Sequence, residues 1–293
     1  MIYLIDASVY VFRAYYSVQG DMVDVRGQPT NAVYGFARFL LDLLRDTGAT
    51  HAAVAFDESL TTSFRNEIYP QYKANREPAP DELKAQFVYC RRFAEVLGLR
   101  TLSDQRFEAD DLIGTLVEHC HTHGVPAAIV TRDKDLAQLV APGDEFYDYA
   151  SGRRFGHGDI EAQFGTRPER IADFLALMGD SVDNIPGVPG VGKKTAAAVF
   201  AQYHSLDHVY ESLDELHALP IRGARTLAAK LAANRDAAYL AQELTRVRRD
   251  VPLDGSLSSM ERAPGDEAAL HALCDELGFG DFLRRRALEA INA

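Results

Sequence analysis

The chain contains no tryptophan, three cysteines, no stretch approaching eighteen consecutive apolar residues, and no basic run at its start. Each shortage excludes something. Cys90, Cys120 and Cys274 are odd in number, far apart and never in a Cys-x-x-Cys pair, which fits buried free thiols in a reducing compartment better than disulfides or a zinc site. The missing apolar run argues against a membrane-spanning helix. "MIYLIDASVYVF", with Asp6 inside it, does not read as a signal peptide, so a cytoplasmic protein is expected. Positive charge is short as well. Lys and Arg number 31 against 43 Asp and Glu, a net charge of -12, which at first sight argues against a partner made of phosphates.

The distribution of charge changes that picture. "MIYLID", "HAAVAFD" and "PAAIVTRDKD" read as buried strands with Asp6, Asp57 and Asp133 at or just past their C-terminal ends. Helical segments lie between them: "YGFARFLLDLLRDTG" stops at Gly48, "DELKAQFVYCRRFAEVLG" at Gly98, and "EADDLIGTLVEHCHTHG" at Gly124. Alternating strands and helices imply a parallel sheet whose ligands sit beyond the carboxyl ends of its strands. From about residue 168 the pattern becomes helices with Gly- and Pro-containing turns, and a domain boundary is expected there. The 293 residues, 47% hydrophobic, suffice for one large domain or two smaller ones.

Nine acids stand out by position: Asp6, Asp57, Glu108, Asp110, Asp111, Asp133, Asp135, Asp180 and Asp183. Two carboxylates about 4 Å apart repel by roughly 4 kcal/mol at an effective dielectric near 20, so such a cluster needs protons or cations. Oxygen donors without His or Cys companions point to Mg2+ or Mn2+, and a pair of such ions suits phosphodiester hydrolysis. Set aside in a metal site, these nine leave the rest of the chain near neutral and able to present basic stripes. Any one of them taken alone is also explained as a helix cap, Asp135 and Asp183 especially. On an ideal helix Glu108 and Asp111 share a face and Asp110 points elsewhere, so the site is expected to wrap the first turn of that helix.

"GVPGVGKKT", residues 187 to 195, approaches the phosphate-loop pattern at Gly187, Gly192 and Lys193 but has Lys194 at the Ser/Thr position and follows a helix rather than a strand. The better reading is a hairpin between helices, with backbone N–H groups around Gly190 and Gly192 holding a duplex phosphate and Lys193 and Lys194 adding charge. A plain glycine-rich connection explains the glycines but not two lysines at a helix N-terminus. "SFRNEIYPQYKANREPAPDELKAQ" interleaves Arg65, Tyr69, Tyr72, Lys73 and Arg76, a mixture that suits a single strand as well as it suits an ordinary surface loop. Lys73 and Arg76 are further candidates for the scissile phosphate.

The segments "LIDAS", "AVAFD", "YKANREPAPDELKAQ", "EADDLIGTL", "VTRDKDLAQLV", "GDSVDNIPGVPGVGKKTA", "GARTLAAKLAANRDAAYL" and "LGFGDFLRR", in that order, resemble the 5' nuclease or flap endonuclease family. The likeness is strongest to the 5'-3' exonuclease domain of bacterial DNA polymerase I. The resemblance implies an α/β fold: a parallel-sheet, PIN-like nuclease core over 1–167 with a helical arch at about 60–85. It further implies a helical DNA-binding region over 168–293 with a helix-three-turn-helix element at about 176–203. It implies that Asp6, Asp57, Glu108, Asp110 and Asp111 surround one metal ion and Asp133, Asp135, Asp180 and Asp183 another, with Asp110 or Asp133 bridging. Tyr72, Lys73 and Arg76 would belong to the arch and its base, and K+ would sit on hairpin carbonyls near Val188 and Val191. No polymerase portion follows before Ala293, so a free-standing member is expected, with none of the nine acids missing. The activity so implied is metal-dependent 5'-3' exonuclease and flap endonuclease cleavage of DNA at single-strand/double-strand junctions, beside a DNA polymerase. The rivals are a branched-DNA binding module without cleavage and a PIN-type ribonuclease, which would not need the hairpin.

Overall fold

Ile2–Asp6, Ala52–Ala55 and Ala127–Val130 are buried along their whole length, as strands covered on both faces must be. They are β1, β2 and β4 of a six-stranded sheet completed by β3 (Arg100–Leu102), β5 (Glu145–Asp148) and β6 (Arg153–Gly156). The computed structural model describes residues 1–18, 21–58 and 62–292. The strand order is β3-β2-β1-β4-β5-β6, parallel throughout except for the antiparallel pairing of β6 with β5. The order reverses between β1 and β4, where Ile5 pairs with Val130, and the crevice beyond that point is where a sheet of this kind binds ligands.

The helices are α1 (Ala7–Ser17), α2 (Asn31–Thr47), α3 (Phe64–Ile68), α4 (Asp81–Val96), α5 (Ala109–Thr122), α6 (Ile160–Phe164), α7 (Ile171–Met178), α8 (Lys193–Gln202), α9 (Leu206–Glu211), α10 (Ala224–Ala233), α11 (Arg235–Thr245), α12 (Glu267–Leu277) and α13 (Asp281–Ile291). Side chains alternate across each strand, so Ile2 and Leu4 of β1 join one core and Tyr3 and Ile5 the other. The first core is covered by α5, α7 and the helices through α11. The second is covered by α1, α2 and α4, and also by α12 and α13, whose Leu270, Leu273, Leu277 and Leu283 are buried there. The last two helices lie within the region expected to be DNA-binding, yet they return to the sheet. No helix among the described residues is long and apolar enough to cross a membrane.

The stretch expected as an arch begins on residues outside those described. From residue 62 onward it holds the short helix α3, turns through Arg76, and then α4, which is anchored in the core by Leu83, Gln86, Cys90 and Phe93.

Candidate active site

The parallel strands deliver their acids to one edge. Asp6 ends β1 and caps α1, accepting the Val9 N–H at 3.5 Å on Oδ1 and the Thr131 hydroxyl at 2.8 Å on Oδ2. Asp57, just past β2, accepts the Ala109 N–H at 2.9 Å and so is tied to the start of α5. Asp133, just past β4, accepts the Asp135 N–H at 2.9 Å and donates its own N–H to the Thr131 hydroxyl at 2.9 Å. Thr131 therefore joins Asp6 to Asp133, a role that sequence reasoning missed although the residue stands inside "VTRDKD".

Too much negative charge is gathered here for all of it to ionise freely. Burial, and next the charge of Asp57, pushes Asp6 up to about 7. Burial, and next Asp133, pushes Asp135 up to about 8. Asp110 is raised well above the carboxylate range by burial and then by Asp133, Asp6 and Asp57; Asp133 is raised too, chiefly by burial. Among the described residues, no three Asp, Glu, His or Cys side chains close around one point as a metal-binding group. What is assembled is an electrostatic neighbourhood in which carboxylates lean on hydroxyls, backbone N–H groups and lysines. The donor set nonetheless fits a hard divalent ion: it is all oxygen, and two of its buried oxygens, Glu108 Oε1 and Asp135 Oδ1, accept no hydrogen bond.

Asp180 and Asp183 arrive from a hairpin after α7. Asp180 and Ile185 exchange backbone hydrogen bonds at 2.9 and 2.7 Å, and the hairpin closes because Gly179 and Gly187 touch backbone to backbone: a Cβ on Gly187 would meet the Met178 carbonyl carbon at 2.3 Å. The segment 71–76 is stitched to this hairpin. Lys73 N–H donates to the Asp183 carbonyl at 2.9 Å, Asn75 to the Ser181 carbonyl at 2.8 Å, and Asn184 to the Gln71 carbonyl at 2.7 Å. Arg76 pairs with the Asp183 carboxylate, and Lys73 Nζ lies 2.9 Å from Glu108 Oε2. Burial works against the Glu108 charge, but Lys73 and Arg65 outweigh it and hold that carboxyl below its usual range.

Three expected site residues take other parts. Asp111 is 0% exposed and fully engaged: Arg65 donates to both its oxygens at 2.7 and 2.8 Å, and the Arg248 and Glu108 N–H groups donate at 2.9 and 3.2 Å. As the third residue of α5 it folds back in a capping box with Glu108. Arg65, 3% exposed, spends its remaining donors on the Leu244 and Arg246 carbonyls, so it ties the two halves of the chain together and does not face a nucleic acid. Tyr72 is equally buried and donates its hydroxyl to Glu108 at 3.0 Å, which removes it as a platform for bases. Tyr69 is half-buried against the core.

The glycine hairpin leads into α8, with Gly190 in the left-handed region at φ 76 and Gly192 capping the helix. Lys193 and Lys194 are both exposed, and the stem of Lys193 runs past Gly165, where a Cβ would meet its Cε at 3.1 Å. Lys230 of α10, one of the cations of a basic helical stretch in the sequence, also reaches the hairpin, its Nζ 3.1 Å from where a Gly190 Cβ would be. Val188 and Val191 are buried, and the Val188 carbonyl accepts the Val191 N–H at 3.0 Å.

Comparison with known proteins agrees with this fold. The family model of the 5'-3' exonuclease N-terminal resolvase-like domain matches residues 1–165, and that of the 5'-3' exonuclease C-terminal SAM fold matches residues 166–268. DNA polymerase I of Pseudomonas aeruginosa is 40% identical over 291 residues, covering 99% of this chain and 32% of the relative. The chain thus spans about a third of the length of such relatives. Among solved structures, the bacteriophage T5 flap endonuclease in a pseudo-enzyme-product complex with DNA and metal ions shares the fold at a TM-score of 0.66 and 19% identity, over 100% of this chain and 99% of that one. Flap endonuclease-1 from Methanococcus jannaschii shares it at 0.64 and 15%, over 99% and 91%. With both family models matched in chain order over residues 1–268, the chain belongs to the 5'-3' exonuclease family.

Proposed function

We propose that this chain is a divalent-metal-dependent nuclease that hydrolyses phosphodiesters near the 5' end of DNA at single-strand/double-strand junctions, as 5'-3' exonuclease and flap endonuclease. The observation that supports it most directly is the surplus of buried carboxylate charge beside the point where the strand order reverses. Asp6, Asp57, Glu108, Asp110 and Asp133 would hold one Mg2+ or Mn2+, and Asp133, Asp135, Asp180 and Asp183 a second. Bound there, such ions supply Lewis acidity toward water and toward phosphoryl oxygens.

The chain's own residues supply the rest. Lys73 and Arg76, fixed by the 71–76 stitching, would meet the charge developing on the scissile phosphate. The turns of 62–80 would act as the arch over a 5' single strand, and the hairpin, with Lys194 and Lys230, would take a duplex phosphate and set register. Hairpin carbonyls near Val188 and Val191 would accept K+. The phage relative was solved with DNA and metal ions, and the Pseudomonas relative is a DNA polymerase, which supports DNA as substrate and a polymerase as working companion.

The test is cleavage of labelled flap DNA beside a sequence-matched RNA, with Mg2+ and with EDTA, products being sized by gel. Short 5' products from DNA in Mg2+ alone are expected. Binding without cleavage, or preference for the RNA, would overturn the reading.

A further inference from the structure

Lys134 opens the turn after Asp133, and its Nζ lies 2.5 Å from Asp180 Oδ2 and 3.4 Å from Asp135 Oδ1. Among the described residues no other hydrogen bond reaches either oxygen. Asp180 Oδ1 already accepts the Val182 N–H at 2.8 Å, and Asp135 Oδ1 is buried without a hydrogen bond. We propose that Lys134 is a resident cation that occupies the Asp135 and Asp180 carboxylates in the metal-free protein, must leave them when a divalent ion is taken up there, and so sets the affinity of that half of the centre. The inference rests on the reading of these acids as ion ligands.

Two contrasts support it. The Lys134 side chain is 40% exposed, so its flexible stem can swing into water without opening the core. Lys73, on the other half of the centre, is held: its side chain is 10% exposed, its backbone is left-handed at φ 55, and its N–H is bonded to the Asp183 carbonyl. One ammonium is thus removable and the other fixed. An ammonium and a divalent ion cannot share the same two oxygens, because like charges at that separation repel strongly, so uptake is weakened by the fraction of molecules in which the lysine is in place. Asp6 and Asp57, by contrast, carry hydrogen bonds and no lysine.

The experiment is Mn2+ titration by calorimetry on the wild type, Lys134→Met, Lys134→Gln and Lys134→Arg, each checked for fold by circular dichroism, with melting curves in EDTA and in Mn2+. In both neutral variants one class of sites should tighten by about tenfold or more while the other stays within about threefold, and Lys134→Arg should resemble the wild type. The neutral variants should also melt lower than the wild type in EDTA and gain more from Mn2+. If the wild type takes up Mn2+ and the neutral variants bind it no more tightly, this inference fails alone. A wild type that takes up no Mn2+ would overturn it together with the reading of the centre.

Discussion

Arg65 donates to both oxygens of Asp111 in a site closed to water, so removing that negative charge would strand a buried guanidinium. Breaking a buried pair from one side costs about 3–5 kcal/mol. Asp111→Asn is therefore expected to lower unfolding free energy by roughly that much in urea titrations and to leave Mn2+ stoichiometry unchanged in the folded fraction. Asp133→Asn should do the reverse. It relieves repulsion among carboxylates that resist ionising, so the metal-free protein should melt higher, while DNA cleavage and the Mn2+-induced rise in melting temperature disappear and junction binding survives. Identical behaviour of the two variants would refute this division. The sequence put both acids at one sheet edge, because strand ends and helix starts are legible from apolar runs and glycine stops. It could not separate them, because the arginine that claims Asp111 is 46 positions away and its arrival depends on the fold.

The hairpin after α7 is the element on which the second group of acids depends. A methyl group on Gly187 would sit 2.3 to 2.4 Å from the backbone of Met178 and Gly179, which no side-chain rotation relieves. Gly187→Ala should cost about 1–3 kcal/mol, as overpacking does, and by spreading the hairpin should move Asp180 and Asp183 and weaken Mn2+ uptake and cleavage together. Gly48→Ala is the control. Gly48 is left-handed at φ 58 at the end of α2 with nothing within 4 Å, so about 1–2 kcal/mol of stability should be lost with cleavage intact. Equal loss of cleavage in both would show that the hairpin has no special part. The long helices and the three apolar strands were legible for the same reasons as the acids. The outer strands β3 and β6 and their short neighbour β5 were not: they run three or four residues and include Arg100, Glu145, Arg153 and Arg154, so no apolar run marks them.

At the scale of the whole molecule, the change near residue 168 from alternating strands to helices was legible, but the return of α12 and α13 to the sheet was not. An amphipathic helix shows that it has a face to bury and not which surface receives it. Truncation after residue 265 would uncover the surface now covered by Leu270, Leu273, Leu277, Phe279 and Leu283, each worth about 1.5–3 kcal/mol, a sum comparable to the entire stability of a domain. The truncated chain is expected to be insoluble or unfolded by circular dichroism, and a cooperative melt would contradict that packing. The charge of the centre also sets how the whole fold responds to pH. In the metal-free protein Asp6 and Asp135 are pushed up to about 7 and about 8 from 3.8, so between those limits the folded chain binds more protons than the unfolded one. Stability present at low pH is then lost as pH rises through the folded values. Glu108 acts in the opposite direction: its carboxyl is held low, so its contribution is lost as pH falls. Melting temperature in EDTA should therefore be highest on the acid side of neutrality and decline to about pH 8. Mg2+ or Mn2+ favours the ionised carboxylates, so the gap between melting curves with and without the ion should widen as pH rises from about 5 to about 8. A gap that stays constant over that interval would mean that the carboxylates raised by burial and mutual repulsion are not the groups that receive the metal.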